Sequence, residues 1–162
     1  KSLEKGFHDG NDLDAREDMA LCALYSGMAL ANAGLGAVHG FAAPLGGSLK
    51  AAHGVLCACL LPASVTVNVE ALRRRDPHNP ALARYAEVAK LLTGSPKADI
   101  DDGVRWLREL TSALSIPGLA ALGLAPGDVP ETVQRGRHAS SMKGNPLVLT
   151  DEELRSIIES SM

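Results

Sequence analysis

Helix starts and stops recur along this chain at short intervals, and no two segments offer themselves as partner strands. Asn79-Pro80 reads as a cap followed by a first-turn proline, and Gly94 as the stop of the same helix. Asp99 caps the segment IDDGVRWLRELTSAL, whose early acids suit the positive end of a helix dipole, and SIPG closes it. Pro130 opens another helix, and Thr150 with Glu153 has the spacing of a capping box for the last. Residues 19–30 are apolar on most sides, as in a helix buried at a domain centre, and GLG at 34–36 punctuates its end. This pattern predicts a central helix with Leu24 and Met28 buried, wrapped by the helices at 79–93 and 99–114. A short helix around His39, a turn at Gly46-Gly47 and a second apolar helix opening near His53 follow it. Pro62 should kink or end that helix. Val65, Val67 and Val69 alternate with polar residues as a short strand would, but without a partner strand a continued, kinked helix is favoured. The expectation is one all-α, helical bundle-like domain over residues 1–162.

A chain of 162 residues is long enough to bury a core without disulfides or a structural metal. Five aromatic residues and no basic stripe argue against nucleic acid, and Arg73, Arg74 and Arg75 read as a solvated helix end. Cys22, Cys57 and Cys59 sit in apolar helical sequence and read as small buried hydrophobes of a reducing compartment, not as a disulfide set. The opening KSLEKGFHDGNDLDARED has no apolar core of a secretory leader. The longest apolar run, residues 55–69, is broken by Pro62, Ser64, Thr66 and Asn68 and is shorter than the ~20 residues of a membrane span. A cytoplasmic protein with no membrane or nucleic-acid partner is expected. The first residue, Lys1, reads as a piece of something longer.

The chemistry concentrates in AVHGFAAPLGGSLKAAHGVLCACLLP, residues 37–62, where two His-Gly dipeptides hold His39 and His53. Imidazole is a common ligand of divalent transition metals, and two on separate helices can meet at one ion if the loop between them folds back. The plain alternative is a pair of packed, hydrogen-bonded histidines. Cys57, one helical turn after His53, leaves a third option open: a non-catalytic helical zinc-binding or interaction module using His39, His53 and Cys57. His8 lies in a charged N-terminal loop, His78 in a surface turn and His138 on a polar helix. DGNDLD lacks oxygen donors at Leu13 and Ala20 and fails as a calcium loop. GLGAVHG contains Gly-x-Gly, but it follows a helical segment and not a β-strand, which disqualifies it as a dinucleotide fingerprint.

The stretch NAGLGAVHGFAAPLGGSLKAAHGVLCACLLP resembles the metal-binding segment of the iron-containing (group III) alcohol dehydrogenases. That family's pattern runs G-x-x-H-x-x-x-H-x-L-G, a loop, then P-H-G and an apolar helix ending in L-P. Gly36, His39, Leu45, Gly46, His53, Gly54, Leu61 and Pro62 fall in the matching places. IPGLAALGLAPGDVPETV and KGNPLVLTDEELRSII resemble later parts of the same family.

The resemblance implies the C-terminal helical domain of a dehydroquinate synthase-like fold, with the nucleotide-binding N-terminal domain absent. It implies a fragment, inactive alone, of an enzyme that interconverts small alcohols and aldehydes with NAD(P), and it leaves room for a homodimer. It further implies a divalent metal, Fe2+ or in some members Zn2+, with His39 and His53 as two ligands. An Asp-x-x-x-His pair supplies the other two in the family. No Asp here is followed four positions later by His, so that pair is expected before Lys1. The chain also departs from the pattern. Ala43 stands where the family has a second histidine, Leu147 where a basic residue follows Asn-Pro, and no acid is matched near Ala139.

Overall fold

The computed structural model describes residues 2–162; Lys1 lies outside the described residues. Eight α-helices follow one another: α1 (Ser2–His8), α2 (Leu13–Asn32), α3 (Ala37–Ser48), α4 (His53–Arg75), α5 (Pro80–Thr93), α6 (Ile100–Ala113), α7 (Val129–His138) and α8 (Asp151–Ser160). Short 3-10 turns cover Pro126–Asp128 and Ser140–Gly144, and there is no strand among the described residues. The caps stand where the sequence places them. The Asn79 side chain accepts from the Ala81 amide, and Gly94 turns left-handed at φ 69° to end α5. Asp99 with Asp102, and Thr150 with Glu153, close reciprocal capping boxes.

The chain divides into two compact units, Lys1–Gly34 and Leu35–Met162. In the first, α1 packs on α2, and Asp12 caps α2 by accepting from the Ala15 amide at 2.9 Å. His8 therefore ends a helix instead of lying in a loop. The expectation of a buried central helix at 19–30 fails. Ala15 is the one buried residue of α2, while Leu24 and Met28 are each 58% exposed. An all-round apolar surface is buried only if the unit supplies neighbours to cover it, and this unit supplies only the seven-residue α1.

The central helix of the second unit is α4, which packs against α3, α5, α6 and α8. Leu56, Leu60, Ala71 and Leu72 along it are fully buried. Its 23 residues are long and apolar enough to cross a membrane, yet more than half of that stretch is buried inside the protein, as in the core helix of a globular domain. Pro62 neither ends α4 nor permits a strand after it. The proline lacks an amide for the preceding turn, and Thr66 Oγ1 donates to the Pro62 carbonyl at 2.8 Å one turn later. Helix α3 likewise continues through Gly46-Gly47 to Ser48, where a turn was expected. Leu45 anchors that last turn in the core, and Ser48 Oγ donates to the carbonyls of Pro44 and Leu45.

Two close approaches lock the helices. Phe41 of α3 presses on Gly136 of α7, where any β-carbon would collide with the ring, and Gly103 of α6 meets Ala89 of α5 in the same way. A polar stitch ties three elements. Asn68 and Asn145 exchange side-chain hydrogen bonds at 2.7 and 3.1 Å, and Asn145 Oδ1 also accepts from the Ala37 amide that opens α3. Asn145 Nδ2 donates in addition to the Leu147 carbonyl. Asn68 is only 5% exposed, and truncating it removes two of the four side-chain hydrogen bonds of Asn145. Asn68→Ala should lower unfolding stability by about 1–3 kcal/mol in a denaturant titration. A loss indistinguishable from that of an exposed alanine substitution contradicts this role.

Candidate metal centre

Helices α3 and α4 build the site from their first turns. His39 is the third residue of α3 and His53 the first of α4, and the two helices pack against each other across the four-residue connection 49–52. Each histidine is fixed through the row it shares with core residues. Ala42 lies three positions after His39 and Leu56 three after His53, and both are fully buried. Leu49 and Ala51 of the connection also pack against the core and hold the loop as it folds back.

The result brings the two rings together, with centroids 5.4 Å apart and planes inclined by 51°. Cys57, four residues after His53 and on the same face of α4, joins them. Its Sγ lies 3.4 Å from His53 Nε2 and 3.9 Å from His39 Nε2. One ligand atom from each of the three residues lies within 4.8 Å of the others. His53 is exposed, and His39 and Cys57 are half-buried, so the corner is open to solvent on one side. Burial, and after it the neighbouring His53 charge, hold the His39 imidazole below its ordinary pKa. Burial pushes the Cys57 thiol up. His39 thus presents a neutral nitrogen, the form a metal requires, further into acid than a free histidine does.

The remaining sequence candidates stay apart. His8, His78 and His138 are exposed, and none joins a cluster of metal-ligating groups among the described residues. Ala43 is exposed one turn beyond His39 and brings no polar group to the corner, while Leu147 packs against the core. The reading of the cysteines as buried is corrected: Cys22 is exposed, Cys57 and Cys59 are half-buried, and all three are free. The Arg73–Arg75 run is more than a solvated end. Arg73 pairs with Asp101 at 2.9 Å, and Arg74 and Arg75 grip opposite oxygens of Glu153, which is 8% exposed. Glu153 was read only as a capping residue, and nothing local marked its second task. Asn68 carried a signal that passed as a mere interruption: an amide in the middle of an apolar helix usually has a specific partner.

Two imidazoles and a thiol meeting at the seam of two helices form a candidate site for a divalent transition metal. The model of the Fe-containing alcohol dehydrogenase family, C-terminal part, matches residues 1–162, and the chain belongs to that family. It is 32% identical over 160 residues to alcohol dehydrogenase 4 of Saccharomyces cerevisiae (strain S288c), covering 98% of this chain and 40% of the relative. It is 31% identical over 163 residues to 1,3-propanediol dehydrogenase of Klebsiella pneumoniae, covering 97% and 40%. The solved alcohol dehydrogenase from Oenococcus oeni superposes with a TM-score of 0.85 at 29% identity, over 99% of this chain and 41% of that one. The chain spans about two fifths of the length of these relatives.

The lowered His39 value is open to direct observation. In a pH titration followed by NMR, its ring should show a midpoint below the ordinary histidine value of about 6.5. His53→Ala should move that midpoint only part of the way back, because burial is the larger cause. The sign for stability follows: the contribution of neutral His39 is present above the unfolded-state value and is lost as pH falls through the lower folded one. A midpoint above the ordinary value contradicts the packing described for this ring.

Proposed function

We propose that this chain supplies two imidazole ligands, His39 and His53, to the metal centre of an NAD(P)-linked alcohol dehydrogenase acting on a small alcohol or aldehyde. The observation that carries the reading is the meeting of two rings from two helices at an open corner, 5.4 Å between centroids. The nicotinamide cofactor is assigned to a part of the longer protein outside this chain, since the described residues contain only helices. Iron(II) is the metal suggested by the family, and zinc(II) accepts the same imidazole donors. A divalent ion at this corner supplies Lewis acidity toward an alcohol or carbonyl oxygen.

The chain's own residues do the rest. His39 and His53 each bring Nε2 within 4 Å of the Cys57 sulfur, and the half-buried position of His39 favours its neutral form. His39 and Cys57 are half-buried on the seam of α3 and α4, and His53 faces solvent. Alanine at position 43 leaves no group one turn from His39 able to move a proton, so a proton relay must run elsewhere. The free cysteines suit a reducing, cytoplasmic setting.

Zinc titration by calorimetry tests the ligand assignment. His39→Ala or His53→Ala should each weaken binding by more than the roughly 10–100-fold that loss of an outer-shell partner costs. Equal affinity in wild type and either variant contradicts it. The 162-residue chain should also show no cofactor-dependent alcohol oxidation, while a longer form carrying an upstream Asp-x-x-x-His segment should bind zinc more tightly by orders of magnitude.

A further inference from the structure

The functional reading above rests on two imidazoles and makes no use of the sulfur beside them. We infer that Cys57 is a third ligand of the ion held by His39 and His53, making the corner a two-nitrogen, one-sulfur site that favours zinc(II) over iron(II). The inference builds on the proposed metal-binding role of the two histidines.

The spacing argues for coordination. Around a tetrahedral ion with nitrogen at about 2.1 Å and sulfur at about 2.3 Å, nitrogen and sulfur stand about 3.6 Å apart. Cys57 Sγ lies 3.4 and 3.9 Å from the two Nε2 atoms, on either side of that value. The arrangement is also held by backbone, since His53 and Cys57 are one turn apart on one helix. Cys59, two residues on, is directed to a different task and donates to the Ser161 carbonyl at 3.4 Å.

Charge points the same way. Within the cluster of described residues, Cys57 is the one group that can become an anion beside the two imidazoles. On binding, the Cys57 S–H bond breaks, its proton passes to solvent, and a sulfur–metal bond forms with no change in oxidation state. The thiolate then supplies the negative charge. Being a soft donor, it favours zinc and cobalt over metals that prefer oxygen.

Cobalt(II) provides a direct optical probe on the whole 162-residue chain. The wild type loaded with cobalt should show an intense thiolate-to-cobalt charge-transfer band in the near ultraviolet, alongside visible d–d bands. Cys57→Ser should lose the charge-transfer band and keep the d–d bands, while Cys59→Ser should retain both. Zinc affinity should fall on the order of a hundredfold in Cys57→Ser, the share of one ligand in a zinc site. Cobalt bound through the histidines with no charge-transfer band, or a band that survives Cys57→Ser, overturns this inference alone. A band that survives both His39→Ala and His53→Ala, or no cobalt binding at all, overturns the histidine reading with it.

Discussion

Phe41, Ala42 and Leu45 on α3 and Leu56 and Leu60 on α4 face one core, and none is more than 1% exposed. Burying each large side chain of this group is worth roughly 1.5–3 kcal/mol. An exposed ion pair such as Arg73 with Asp101 contributes about 0–1 kcal/mol. The apolar contact between the two helices therefore decides their placement, and the placement decides where His39 and His53 point. The corner where the two rings meet is a by-product of a well-packed seam, made at its open edge.

Polar contacts refine what packing sets. The Asn68–Asn145 exchange reaches the first amide of α3 and so holds the start of the helix that carries His39. Glu153 caps α8 and draws in the last turn of α4 through Arg74 and Arg75. With Phe41 pressed on Gly136, these contacts hold the C-terminal half of α4 and tie α3 to α7. Preorganisation of this kind is what a metal site needs before an ion arrives.

Much of the fold was legible because caps are local. Asn79, Gly94, Asp99 and Thr150 announce helix ends through their own side chains or backbone, without reference to the rest of the chain. The pair His39 and His53 was legible through a spacing shared with a family, and their packing then brought the rings together. What was not legible depends on tertiary neighbours. Apolarity in α2 could not reveal that its own unit has too little surface to cover Leu24 and Met28. Two glycines at 46 and 47 suggested a turn, but the burial of Leu45 carried α3 through them. The role of Cys57 could be posed from its position one turn after His53, yet only the fold of α3 against α4 brings its sulfur between two rings.

The most direct measurement is a crystal structure of the chain soaked with zinc. The account predicts one ion between α3 and α4, with Nε2 of His39 and of His53 both at about 2.0–2.1 Å from it. An ion held elsewhere, or density that engages only one of the two rings, would contradict the claim that the seam of these helices builds a metal centre.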